Sequence, residues 1–143
     1  MSKIDIFFEE TEPIDLSCIL IKSLIAGVIR DEKKRKGDIC IIFCSDNYLL
    51  MINKKYLNSD YYTDIVTFDY VKDDLISGDL FISIERIREN ALKYRVAFFE
   101  ELFRLVIHGI LHLIGYNDGT DKEKKMMREK ENYYLKKSGI NTS

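Results

Sequence analysis

The chain is poor in the residues that interrupt regular structure, with one proline and seven glycines among 143 residues. Hydrophobic residues make up 46% of it and aromatic residues 12%. These proportions exclude a disordered or collagen-like chain, because such chains lack the apolar side chains of a packed core. A chain of this length forms one compact domain, so we expect a single domain over residues 1–143.

Cysteine is also scarce: there are three residues and no Cys-x-x-Cys pair. Cys40 and Cys44 fall on one face of an expected strand, but too far apart along it to pair easily. We therefore interpret both, together with Cys18, as small core residues of a reduced intracellular protein. The alternative is a redox or metal-binding role for these thiols.

Long apolar segments are missing from the sequence. The longest apolar stretch, residues 18–29, is interrupted by Lys22, Ser23 and Gly27 and is too short to span a bilayer. The N-terminal residues contain no signal-peptide hydrophobic region. We therefore expect a soluble, cytoplasmic protein that does not contact a membrane.

Hydrophobic periodicity predicts an α+β fold. Apolar runs and alternations predict strands at residues 3–8, 38–44, 65–71 and 79–84, the last two joined as a hairpin by residues 72–78. Apolar residues at helical spacing predict helices at residues 15–29, 47–56, 84–94, 98–114 and 121–137. The order βαβα, then ββ, then three helices indicates a mixed sheet of about four strands packed with about five helices.

The two histidines of the chain, His108 and His112, both lie in the predicted helix 98–114. Side chains four residues apart share one helix face, so both imidazoles point toward one place. A helix supplies two ligands to a metal ion with this spacing. The alternative is two unrelated core or surface histidines, but each buried neutral imidazole would then need its own partner for the ring N–H.

The residues after the histidine pair favour a metal site. Gly115 follows His112 by three residues, and glycine ends a helix by taking a left-handed backbone. The chain then reverses, which brings the carboxylate of Asp118 back over the histidines. This spacing matches that of metzincin-type zinc sites and predicts a divalent metal held by His108, His112 and Asp118. Taken singly, Gly115 and Asp118 are also explained by an ordinary helix end and turn.

Gly109 separates this pattern from that of zinc peptidases. In those enzymes the residue after the first histidine is the glutamate that acts as general base. Glycine carries no proton to exchange, so peptide hydrolysis by that mechanism is disfavoured. Two histidines and one carboxylate leave coordination positions open, which is typical of a catalytic metal that activates a bound water.

Residues 108–118 (HGILHLIGYND) resemble the signature of the YbeY family, metal-dependent endoribonucleases of ribosomal RNA maturation. The similarity extends to Asn53 and Tyr56, to residues 63–68 and 78–83, to Glu100 and Glu101, and to Met126 and Glu131. The resemblance implies an α+β fold with a zincin-like metal helix. It also implies one Zn²⁺ per chain on His108, His112 and Asp118, with the two histidines as catalytic residues.

The sequence departs from the family pattern at three residues, in two parts of the chain. The third ligand is usually a histidine, whereas this chain has Asp118. A carboxylate still binds zinc, but it makes the metal a weaker Lewis acid and favours competition from harder divalent ions. Many members also have a basic residue just after the tyrosine and a proline before the threonine, where this chain has Leu57 and Tyr62. If that basic residue normally holds the phosphate, another cation must replace it here or the activity is lower.

The resemblance implies a zinc-dependent, single-strand-specific endoribonuclease. Its expected roles are maturation of the 3′ end of small-subunit ribosomal RNA and ribosome quality control, with ribosomal RNA and the small ribosomal subunit as partners. The alternatives are a ribosome-assembly factor whose metal is mainly structural, and a zinc peptidase or amidase. Asp64, Asp79 and Glu101 are candidate acid–base groups.

Contacts with RNA would need local positive charge, because the net charge of the chain is −2. Arg86, Arg88 and Arg104 are candidates for phosphate contacts, and further cations such as Lys124 and Arg128 follow the metal motif. Tyr116 is a candidate for stacking on an unpaired base. The alternative for each is an ordinary solvated or packing side chain.

Overall fold

The order of strands and helices matches the predicted α+β pattern. The computed structural model describes residues 3–14, 18–58 and 63–139, without the side chains of residues 18 and 19. Within these ranges the strands are β1 (Ile4–Glu9), β2 (Arg35–Cys44), β3 (Ile65–Asp69) and β4 (Leu75–Ser83). The helices are α1 (Cys18–Asp31), α2 (Asp46–Leu57), α3 (Ile84–Tyr94), α4 (Phe98–Ile114) and α5 (Asp121–Lys137).

The four strands form one mixed sheet in the order β1-β2-β4-β3. β1 pairs with β2 and β2 with β4 in parallel, whereas β3 and β4 form an antiparallel hairpin. The prediction of a mixed four-stranded sheet in a single α+β domain is therefore confirmed for the described part of the chain.

Two strands begin earlier than predicted. β2 starts at Arg35 instead of residue 38, and β4 at Leu75 instead of residue 79, so the predicted turn 72–78 was placed too late. Gly37 explains the error at β2, because a Cβ there would lie 2.0 Å from Oγ of Ser77 on the neighbouring strand. The absence of a side chain at position 37 permits this close pairing, so the glycine lies within a strand. The predicted start of α1 at residue 15 lies outside the described residues.

The main core lies between one face of the sheet and the helices α1 and α4. Most of α4 from Leu102 to Leu113 is buried, and α5 packs on it through Met127 and Leu135. A smaller apolar cluster fills the space between the opposite sheet face and α2. The metal-site motif therefore lies at the end of the most buried helix of the structure.

Cys44 is fully buried, and Cys40 is half-buried; neither forms a disulfide within the described residues. Burial raises the pKa of the Cys44 thiol to about 12. The interpretation as a core thiol is confirmed for Cys44 but not for the half-buried Cys40, and the side chain of Cys18 lies outside the described part. Among the described residues, no helix has both the length and the apolar character needed to cross a membrane.

Candidate metal centre

α4 presents both histidines on one face and then ends at Gly115. The backbone of Gly115 has a φ of +124°, which disfavours any side chain at this position. Its N–H donates to the carbonyl oxygens of Leu111 and His112, which closes the last turn of the helix. The following residues then turn back toward the histidines, as predicted from the glycine.

The structure brings the three predicted ligands together. Nε2 of His108 lies 3.0 Å from Nε2 of His112. Oδ2 of Asp118 lies 3.2 Å from Nε2 of His108 and 3.5 Å from Nε2 of His112. Each pair of ligand atoms is thus close enough to bind the same ion.

In each imidazole the nitrogen that does not face the other ligands, Nδ1, has a partner that can only accept a hydrogen bond. Nδ1 of His108 lies 2.7 Å from Oε2 of Glu131, and Nδ1 of His112 lies 3.0 Å from the backbone oxygen of Tyr116. Both Nδ1 atoms therefore carry a proton and donate it. In each neutral ring the lone pair is then on Nε2, directed at the shared point.

Three lone-pair atoms facing one another repel unless a proton or a metal cation lies between them. Zinc ligands at about 2.0–2.2 Å in tetrahedral geometry are separated from one another by about 3.3–3.6 Å. The distances of 3.0, 3.2 and 3.5 Å between the ligand atoms are close to these values. The three residues therefore fit a divalent metal ion. The Asp118 side chain is 41% exposed, which leaves one side of the site open to water or substrate.

The electrostatic environment also favours positive charge at this place. Burial lowers the pKa of His108, but the hydrogen bond and charge of Glu131 more than offset this, so its pKa is raised. Burial likewise pushes up the pKa of Glu131, but His108 and then Arg104 hold it below its ordinary value. Glu131 is therefore an ionised carboxylate beside the ligands.

Gly109 faces the sheet instead of the metal site. A Cβ at this position would lie 2.9 Å from the Cδ1 atoms of both Ile65 and Leu80. The packing of α4 on the sheet therefore explains the glycine, and it leaves no space for the general-base glutamate of zinc peptidases.

A cleft of about 200 Å³ opens beside His108 and Asp118. Its walls also include the charged residues Asp64, Glu101, Arg104, Lys124, Arg128 and Glu131. Glu101 is 4% exposed and accepts a 3.4 Å hydrogen bond from Nδ2 of Asn90, and burial raises its pKa. Two of the three candidate acid–base groups thus line the cleft. The third, Asp79, accepts a hydrogen bond from Tyr70 and lines a different depression.

Two of the candidate RNA contacts lie at the metal site but are held by internal contacts. Arg104 lines the cleft, is 8% exposed and donates to Oε1 of Glu131 at 3.1 Å. The hydroxyl of Tyr116 donates to Glu32 at 2.6 Å, and Nζ of Lys130 lies 5.3 Å from its ring centre. RNA contact through these two residues stays a prediction.

The other two candidates do not line the cleft. Arg86 forms ion pairs with Asp46 at 3.0 Å and with Glu89 at 2.7 Å. The guanidinium of Arg88 lies 5.9 Å from the ring centre of Phe98. Their contact with RNA also stays a prediction. Besides Asp118, two residues depart from the family pattern: Leu57 is exposed at the end of α2, whereas Tyr62 lies outside the described residues.

Sequence reasoning did not find the contact between Glu131 and His108. The sequence indicates Glu131 only through the family resemblance, and 23 residues separate it from His108. No local spacing predicts this contact, because it depends on how α5 packs against α4. The same holds for Glu32, which lies after α1 but contacts Tyr116 next to the metal ligands.

Comparisons with known proteins point to one family. The family model described as Endoribonuclease YbeY matches residues 8–139. A protein named Endoribonuclease YbeY from Azobacteroides pseudotrichonymphae is 57% identical over 113 residues, which cover 79% of this chain and 81% of the relative. The protein of the same name from Flavobacterium psychrophilum is 53% identical over 112 residues, covering 78% of this chain and 80% of its own.

A solved structure shares the fold. The solution structure of a protein from Thermotoga maritima superposes with a TM-score of 0.64 at 28% sequence identity. The match covers 93% of this chain and 88% of the other.

Proposed function

Because the chain belongs to the YbeY family of endoribonucleases, we propose that it is a zinc-dependent enzyme that cleaves single-stranded ribosomal RNA. Its proposed roles are maturation of the 3′ end of small-subunit ribosomal RNA and ribosome quality control, with the small ribosomal subunit as partner. Residues 1–143 form the metal-dependent hydrolase domain in this proposal.

The proposal rests on one observation: three ligand atoms, each with a lone pair, lie close together at the end of α4. His108 and His112 would hold the ion through Nε2, and Asp118 through Oδ2. A divalent metal bound here lowers the pKa of a water and polarises a phosphoryl oxygen. The carboxylate of Asp118 also makes harder ions than zinc competitive.

The cleft beside the metal ligands supplies charge for an RNA backbone. Lys124 and Arg128 lie on its wall, and the Arg128 side chain is 53% exposed. These cations would bind the phosphates flanking the cleavage site, because phosphate contacts dominate affinity for nucleic acids. Glu101 and Asp64 lie on the same wall, within the cleft that would receive the scissile group.

Cleavage of defined RNA substrates by the purified protein tests the proposal. The substrates are a single-stranded RNA that spans the 3′ end of small-subunit ribosomal RNA and the same sequence in a duplex. We expect zinc-loaded protein to cut the single strand faster than the duplex, and His108→Ala to be inactive. Asp118→Asn should lose activity, whereas Asp121→Asn, which changes an exposed carboxylate three residues later, should retain it.

Two further assays separate the proposal from its rivals. Casein serves as a substrate for peptidase activity, which we expect to be absent because Gly109 occupies the position of the general base. The second assay compares the ribosome association of His108→Ala with its processing of ribosomal RNA. This comparison tests whether the protein is instead a ribosome-assembly factor. Normal processing of ribosomal RNA by that variant, at wild-type protein levels, would contradict the proposed nuclease.

A further inference from the structure

Glu131 of α5 reaches across to the first histidine of α4. The residue is 4% exposed, and its two carboxylate oxygens have different partners. Oε2 accepts a 2.7 Å hydrogen bond from Nδ1 of His108, while Oε1 accepts one at 3.1 Å from Arg104. Arg128 approaches Oε1 from the solvent side at 3.5 Å. The carboxylate is therefore held at both ends and cannot rotate without losing a contact.

We infer that Glu131 is a positioning residue for the metal, which holds His108 in the orientation and tautomer that binds through Nε2. The inference rests on the proposed function, because it assumes that an ion binds His108, His112 and Asp118. A carboxylate that accepts the outer N–H of a metal-bound histidine fixes the ring and raises its basicity as a ligand. The contact at 2.7 Å supplies this arrangement.

The two carboxylate oxygens of Glu131 bond different residues, which favours a positioning role over a purely structural ion pair. An arginine and a carboxylate that only stabilise each other often pair through both oxygens. Here Arg104 bonds Oε1 and leaves Oε2 to His108. Arg104 thus fixes the carboxylate that fixes the imidazole, and both are buried beside the site.

The second histidine is held differently, which makes the inference testable at one residue. Nδ1 of His112 donates to the backbone oxygen of Tyr116, so no side-chain substitution removes its acceptor directly. Only His108 depends on a side-chain carboxylate. Loss of such a partner typically weakens metal binding by about 10–100-fold.

The amide of glutamine cannot replace the carboxylate at both contacts. It has one acceptor oxygen and one NH₂ group, so either His108 or Arg104 faces a donor in Glu131→Gln. This variant also leaves the buried charge of Arg104 without its anion, which destabilises the fold. A second change, Arg104→Gln, removes that charge, so the double variant separates stability from metal binding.

The experiment measures metal affinity and thermal unfolding of four proteins besides the wild type. They are Glu131→Gln, Arg104→Gln, the double variant, and Glu129→Gln as a control that changes an exposed carboxylate on the same helix. Zinc affinity is measured by competition with a chromophoric chelator, the ligand geometry from the visible spectrum of the Co²⁺-loaded protein, and stability from the Tm of the metal-free protein.

We expect Glu131→Gln to bind zinc about 10–100-fold more weakly than the wild type and to show an altered Co²⁺ spectrum. Glu129→Gln should match the wild type in both. The double variant should recover much of the Tm lost in Glu131→Gln yet still bind zinc weakly.

Two results would overturn the inference. In the first, the double variant recovers wild-type zinc affinity together with its Tm, which makes Glu131 only structural. In the second, Glu131→Gln binds zinc with wild-type affinity and an unchanged Co²⁺ spectrum. A wild-type protein that binds neither ion is a separate outcome, because it contradicts the proposed function itself and removes the inference with it.

Discussion

Gly109 of α4 packs directly on Leu80 of β4: a Cβ at position 109 would lie 2.9 Å from Cδ1 and 3.0 Å from Cδ2 of Leu80. Leu80 is fully buried at the centre of the sheet. The missing side chain therefore sets how closely the metal-site helix approaches the sheet. Because His108 and His112 are carried by the same helix, their position depends on this contact.

Replacement of Gly109 by alanine should destabilise the protein. The added methyl group overpacks the contact with Leu80 and Ile65, for which we expect a loss of about 1–3 kcal/mol in the free energy of unfolding. Urea denaturation of the metal-free protein measures the change. Gly27→Ala in α1 is the matched control, because a Cβ there meets no atom within 4 Å. That variant should be unchanged or more stable by up to about 1 kcal/mol, and equal gains in both variants would contradict the packing argument.

Removal of the metal should lower the Tm of the wild type. A ligand that binds only the native state adds about 2.7 kcal/mol when its free concentration is 100 times its Kd. Thermal unfolding with zinc and with excess chelator measures this difference. In His112→Ala the two curves should coincide, because the site has lost a ligand. A wild-type Tm that does not respond to chelator would argue against metal binding at this site.

Replacement of Asp118 by histidine should shift metal preference toward zinc. Imidazole is a softer ligand than carboxylate, so zinc gains relative to Mn²⁺ and Mg²⁺. We expect the ratio of zinc to manganese affinity to rise by about tenfold, which equals about 1.4 kcal/mol. Competition titrations of the metal-free protein test this expectation, and Asp121→His controls for adding an imidazole nearby. An unchanged ratio would mean that Asp118 does not coordinate the ion.

Glu32 should make stability depend on acid pH. Burial pushes up the pKa of Glu32, but hydrogen bonds from Tyr116, Tyr134 and Lys130 more than offset this and lower it. The unfolded chain therefore binds a proton at higher pH than the native protein does. The stabilisation from Glu32 is complete above the pKa of this residue in the unfolded chain. It is lost as pH falls through the lower pKa of Glu32 in the native protein.

Glu32→Gln tests this dependence in the metal-free protein. We expect it to lower the free energy of unfolding at pH 7 by roughly 1.5–3 kcal/mol, the usual range for hydrogen bonds to a charged group. The loss should shrink at acid pH, where the wild type has protonated Glu32. Glu129→Gln, which alters an exposed carboxylate, should show the same dependence of unfolding free energy on pH as the wild type. A loss in Glu32→Gln that is the same at every pH would contradict the assignment.

Arg128 should contribute to RNA binding through a phosphate. It lines the cleft and its side chain is 53% exposed. Arg128→Ala should weaken binding of single-stranded RNA of any sequence and reduce the salt slope of the affinity by about one. Titrations at several salt concentrations measure both effects. Arg35→Ala on β2, which pairs with Asp74 away from the cleft, should bind like the wild type.

Local patterns in the sequence predicted most helices and strands because their signals span only a few residues. The weakest predictions concerned the starts of β2 and β4, where Arg35 and Leu75 pair with each other. The residues around these positions are charged or turn-forming, which is typical of loops. The sequence therefore does not indicate that two distant segments pair there. Strand pairing is non-local, and no spacing within one segment reveals it.

The sequence by itself determined the relative placement of His108, His112 and Gly115, because helix periodicity and the left-handed glycine act within two turns of backbone. Only the tertiary structure decided which groups hold the outer nitrogens of the histidines, and why position 109 has no side chain. Those features depend on Glu131 and Leu80, which reach α4 from another helix and from the sheet. The packing of elements distant in sequence creates such contacts, and local chain geometry does not specify them.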